Sequence, residues 1–176
     1  MKTLKLSCTV ILFLGAVLGY GQHKIAHGNQ ADKDGMKMHH METEVTFNSD
    51  FLGESYQHYT NIHEAMVNAD SNEAKKSANL LAKSLKKVKQ GGQALIPSDA
   101  LASAVDVKGQ RKAFSALSNA MGKLVKGNVT AGKIYKAFCP MAMNGGAYWL
   151  SSVQEIRNPY FGEKMLGCGS FKETIQ

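Results

Sequence analysis

Cysteine is scarce: three in 176 residues, too few for a scaffold held by disulfides. Proline is as rare, also three, which excludes collagen. The charged fraction is only 20%, so the chain is no coiled-coil rod. One long apolar run exists, Leu6 to Leu18, and a multi-span membrane protein would need several longer ones. Signatures of catalysis are missing as well. His63-Glu64 has no second histidine to complete His-Glu-x-x-His. There is no Cys-x-x-Cys, no haem-attachment motif and no Gly-x-Ser-x-Gly elbow. No enzyme is expected. What the chain does have is 44% hydrophobic residues, which argues against wholesale disorder, and a net charge of +7. Nine methionines and six histidines are the unusual entries in its composition.

Residues 1–21 read as a secretory signal peptide. Lys2 and Lys5 form a positive start, Leu6 to Leu18 an apolar middle, and Gly19 and Gly21 a small-residue end. The apolar stretch is short for a membrane span, and no stop-transfer pattern follows. Cys8 sits in a poor context for lipidation. Cleavage near Gly21 or Gln22 removes Lys2, Lys5 and Cys8, leaving two cysteines and a charge of +5. The expected location is periplasmic or secreted, an oxidising compartment, with no stable membrane insertion after cleavage.

Residues 22–49 lack any helical or strand period and are rich in Gly, Asp, Lys and His. They read as a flexible tail, with order beginning near Asp50. From there a single domain, 50–176, is expected. Leu52, Tyr59, Ile62, Met66 and Ala69 step by threes and fours along a first helix, 51–69, which Ser49 or Asp50 can cap. Asp70 and Glu73 have capping-box spacing before a second helix. Its apolar stripe is Ala74, Ala78, Leu81, Leu85 and Val88, and Gly91-Gly92 ends it. Pro97-Ser98-Asp99 predicts the start of a short third helix reaching Val105. Phe114, Leu117, Met121 and Leu124 mark a fourth, 108–126. The fold class is therefore mainly α: an antiparallel, up-and-down helical bundle. After Gly127 the texture changes to a small irregular C-terminal lobe. There Tyr135–Phe138 and Ala147–Leu150 suggest short strands or loops, Asn158-Pro159 a turn, and Tyr160–Leu166 a short helix.

Two clusters carry soft metal ligands. Met36, Met38, His39, His40 and Met41 crowd the tail, with His23 and His27 upstream. A thioether prefers Cu(I) or Ag(I), needs no deprotonation and is not consumed by disulfide formation, so it suits an oxidising compartment. The second cluster is Cys139-Pro140-Met141-Ala142-Met143 with Met165 and Cys168. Two thiolates and one or two thioethers could hold Cu(I). Equally, the two cysteines could form a disulfide, stabilising by roughly 3–4 kcal/mol for a loop of this length. Both readings stand, and they can be two redox states of one site.

Other features have plain explanations. His58 and His63 are five apart on the first helix and are expected on its surface. Residues 127–134 nearly match a phosphate loop, but Ile134 stands where Ser or Thr would hold magnesium, so the segment reads as a linker. The lysines of the second helix form a solvated face, and no nucleic-acid partner is expected.

The C-terminal residues resemble a known family. Cys139-Pro140-Met141-Ala142, Gly146 to Ser151, Ile156 to Gly162, Met165-Leu166 and Cys168-Gly169 are similar to a domain-of-unknown-function family of small exported bacterial proteins. That family also occurs as a C-terminal extension of CusB-like periplasmic adaptors of copper/silver efflux pumps. Tyr56, Tyr59 and Ala65 and the Ala/Leu/Lys-rich second helix extend the likeness to about Asp50–Ile175. The resemblance implies heavy-metal handling. By position it carries over Cys139, Met141, Met165 and Cys168; Met143 lies at a more variable spot, and the tail rests on ligand chemistry alone. The expected function is sequestering Cu(I) or Ag(I), or passing it to heavy-metal efflux components. The alternative is a structural or interaction module with a Cys139–Cys168 disulfide and no metal.

Overall fold

The structure, a computed structural model, describes residues 44–176. The signal-peptide segment and the Met36–Met41 cluster lie outside the described residues. The elements follow as β1 (Thr46–Phe47), α1 (Asp50–Val67), α2 (Ser71–Leu85), α3 (Gly92–Ser103), α4 (Val107–Val125), β2 (Val129–Ala131), β3 (Ile134–Cys139), β4 (Ala147–Ser151), a 3-10 turn (Gly162–Met165) and β5 (Ser170–Ile175). The chain is mainly α, with two small antiparallel sheets.

The helical stripes form the core. Tyr59, Ile62 and Met66 of α1, Ala74, Ala78 and Leu81 of α2, and Phe114, Leu117 and Met121 of α4 are fully buried. Each helix packs on the next in sequence. Asp70 caps α2 by accepting the N–H groups of Asn72 and Glu73 at 3.1 and 2.9 Å, so two of the helix's unpaired amides are satisfied. Glu73 does not reach back to complete the box; its carboxylate bonds Lys76 and Ser77. Asp106 caps α4 through the Gly109 amide. Ser49 holds the cap position of α1 without a side-chain bond.

Several elements differ from expectation. Helix α2 stops at Leu85, where the amides of Lys87 and Val88 turn to carbonyls three residues back. Gly91 then begins the turn into α3, and a Cβ there would sit 2.2 Å from the Leu85 carbonyl oxygen. So the glycine pair opens the third helix as well as closing the second, and Pro97 falls inside α3, at the loss of one internal hydrogen bond. Order also reaches upstream of Asp50. Thr46–Phe47 pairs with Val129–Ala131, and the Phe47 ring packs 5.3 Å from Tyr56. The 127–134 segment is thus a turn and a strand rather than a bare linker. Finally, Ser170–Ile175 forms a strand that no clear alternation announced, while the expected strands after Gly127 are present as β3 and β4.

The second sheet has strand order β4-β3-β5. Its ladder pairs Ala137 with Trp149 and Cys139 with Ala147, placing these four buried residues on one face. Phe138 and Tyr148 pair on the other face, with ring centroids 4.6 Å apart. Tyr59 joins sheet to helices. Its hydroxyl accepts the N–H of Leu150 at 2.9 Å and hydrogen-bonds Ser118 of α4 at 2.8 Å.

Candidate functional site

The β3–β5 ladder ends at the Phe138–Ser170 pair. Cys139 is the next residue on β3, and Cys168 lies just before β5, so the two meet past the ladder's end. Their sulfurs are 2.9 Å apart and unbonded. Gly169 makes the approach possible. Its φ is +147°, and a Cβ would lie 2.6 Å from the outer edge of the rigid Trp149 indole. The chain can therefore pass the edge of Trp149 and deliver Cys168 to Cys139 only without a side chain at position 169.

Asn158 ties this corner together. It is fully buried, donates to the Cys168 carbonyl at 2.7 Å and accepts the Tyr160 amide at 2.8 Å. Its own amide bonds the Leu166 carbonyl. The sequence marks Asn158 only as a turn residue. The segment it belongs to is clamped to the helices. His63 bonds the Arg157 carbonyl at 2.9 Å, Arg157 pairs with Glu64 at 2.6 Å, and Arg111 donates to the carbonyls of Pro159 and Met66. His63 is buried, contrary to the surface position expected from its spacing to His58. Tyr59, Ile62, His63 and Met66 share the i, i+3, i+4, i+7 stripe, and that spacing was the signal for it.

The two thiols are not equivalent. Burial pushes the Cys139 thiol up, but hydrogen bonds from Cys168, the Met141 amide, Asn158 and the Ala142 amide outweigh it and hold the thiol below its ordinary value. The Cys168 thiol moves the other way, raised first by its hydrogen bond to Cys139 and then by burial. The pair therefore holds its first negative charge on the buried Cys139, in a cradle of amides.

Of the four C-terminal candidates, the structure brings Cys139 and Cys168 into contact. Met141 follows Cys139 in the turn after β3 and is 63% exposed. Met165 ends the 3-10 turn, half-buried, and its carbonyl accepts the Cys168 amide at 3.0 Å. Met143, at φ +51°, is also exposed. Met36, Met38, His39, His40 and Met41 lie outside the described residues. Among the described residues no group of three or more His, Cys, Asp and Glu is placed to hold a metal ion. No helix among them is long and apolar enough to cross a membrane.

Residues 55–132 match a family model described as a protein of unknown function (DUF3347). The match covers less than half of the chain, α1 to β2, and stops short of Cys139. It marks the helical part as a domain of unknown function and says nothing of compartment or efflux adaptors. No curated protein and no solved structure matches the chain.

Proposed function

We propose that this is an exported, non-enzymatic protein that binds Cu(I) or Ag(I) as cargo and sequesters it or hands it to an efflux system. The observation that carries this reading is the contact of two free thiols, one of them biased toward thiolate. Soft metal ions prefer sulfur donors, and a thiolate rather than a thiol is the ligand. Hydrogen bonds hold the Cys139 thiol below its ordinary value, which favours the ligating thiolate there. Metal–thiolate bonds of about 2.3 Å require sulfurs roughly 3.8–4.6 Å apart. The pair must open by about 1 Å or more from its 2.9 Å separation. Met141 and Met165 are the thioethers in sequence reach of the two thiols. The tail residues Met36, Met38, His39, His40 and Met41 would capture the ion, and the four helices, read as an up-and-down bundle, form the scaffold.

A second reading is favoured by the same 2.9 Å separation, which is shorter than a metal-bridged pair needs. In it Cys139 and Cys168 close a permanent disulfide, and the lobe is a structural or interaction module. Titration of the reduced mature protein with Cu(I) under anaerobic conditions tests the first. Binding tighter than about micromolar that disappears in Cys139→Ser and Cys168→Ser supports it; weaker binding in both redox states refutes it. Free-thiol counting on protein taken from the periplasm tests the second.

A further inference from the structure

We propose that Cys139 and Cys168 form a reversible disulfide, one that external thiols open by attacking Cys168 with Cys139 as the leaving sulfur. This chemistry is independent of any metal.

The two sulfurs already touch, so little backbone movement separates dithiol from disulfide. Access to them is unequal. Cys139 is fully buried at the end of the central strand, on the face it shares with Ala137, Ala147 and Trp149. Cys168 is partly exposed, between an exposed Gly167 and Gly169. An incoming thiolate therefore reaches the Cys168 side of the bond.

A small-molecule thiolate attacks Cys168 Sγ, forming a mixed disulfide there and expelling Cys139 as thiolate. A second thiolate attacks the sulfur of the mixed disulfide that came from the small molecule. It leaves as the small-molecule disulfide and releases Cys168 as thiolate, which takes up a proton. Two electrons pass from two small thiols to the protein disulfide. Oxidation is the reverse with a small-molecule disulfide as oxidant: Cys168 is modified first, and Cys139 resolves it.

The test uses the full chain, oxidised with glutathione disulfide, freed of it, and then exposed briefly to reduced glutathione. An acid quench and maleimide alkylation trap the intermediate. Trypsin separates the two sites, since Cys139 falls in 137–157 and Cys168 in 165–172. The expected result is glutathione on the 165–172 peptide in roughly tenfold or greater excess over the 137–157 peptide, with maleimide on Cys139. Adducts mainly on Cys139, or an even split, overturn the proposal. So does a pair that never oxidises, or a disulfide that millimolar glutathione leaves intact. Because the protein is metal-free, loss of the copper reading leaves this result standing, and the reverse also holds.

Discussion

Changing Tyr59 to Phe removes one oxygen atom from the centre of the molecule. Tyr59 has no solvent exposure, and burial pushes its phenol well above the ordinary range, so the hydroxyl is neutral at every usable pH. It meets Ser118 at 2.8 Å and takes the Leu150 N–H at 2.9 Å. Strand β4 is an edge of its sheet, and that N–H points away from β3, so no other strand can accept it. Phenylalanine keeps the ring stacked on Phe114, 5.3 Å away, and leaves a buried donor unpaired. An unpaired buried group costs about 1–3 kcal/mol, so the expected loss is about 2 kcal/mol. For a chain of this size that lowers the melting temperature by roughly 4–8 °C. Urea unfolding should show the same loss in midpoint with an unchanged slope. A double-mutant cycle with Ser118→Ala should show coupling, because the two side chains share one bond. A loss below about 0.5 kcal/mol, within the range of an ordinary surface change, would refute the claim that this hydroxyl holds the edge strand to the helices.

Gly169→Ala should destabilise by roughly 1–3 kcal/mol through its strained φ and the contact with Trp149; it should also slow disulfide closure, followed by melting and thiol counting. The hydrogen bond from His63, opposed by burial and joined by the charge of Arg157, holds the Glu64 carboxyl below its usual value. Its stabilising contribution is therefore complete above the ordinary carboxylate range and lost as pH falls through the depressed folded value. Glu64→Gln should flatten acid unfolding in that window, and a curve of unchanged shape would count against the His63–Glu64–Arg157 clamp. Trp149, the single tryptophan, lies against Gly169 beside the thiol pair. Adding Ag(I) to reduced protein should change its emission; an equal change in the Cys139→Ser, Cys168→Ser double variant would place the ion elsewhere.

How much of this was legible beforehand depended on the range of the interaction. The stripes Tyr59-Ile62-Met66, Ala74-Ala78-Leu81 and Phe114-Leu117-Met121 all lie in the core, because helical periodicity is local and only one face of an amphipathic helix can leave water. Asp70 as a cap is a local event too. The start of α3 was misplaced because a proline six positions into a helix and a glycine pair at its head are tolerated here through packing around Ala94, Ser98 and Leu101, which no local rule foresees. Strand β5 leaves little trace in the sequence, because an edge strand with the pattern Ser-Phe-Lys-Glu-Thr-Ile carries little apolar signal. The burial of His63 follows from the stripe it shares with Tyr59, Ile62 and Met66, whereas its five-residue spacing from His58 says nothing of which side faces the core.

The chain's own letters determined that four helices, three of them amphipathic, precede a cysteine-bearing lobe, and that two soft sulfurs wait there 29 positions apart. Whether those sulfurs meet is not a local property. It is decided by the β3–β5 register, by a glycine that lets the chain pass the edge of Trp149, and by Asn158 pinning the Cys168 carbonyl. The difference between the two thiols has the same origin, since burial and hydrogen bonding belong to a surrounding that only the folded chain creates.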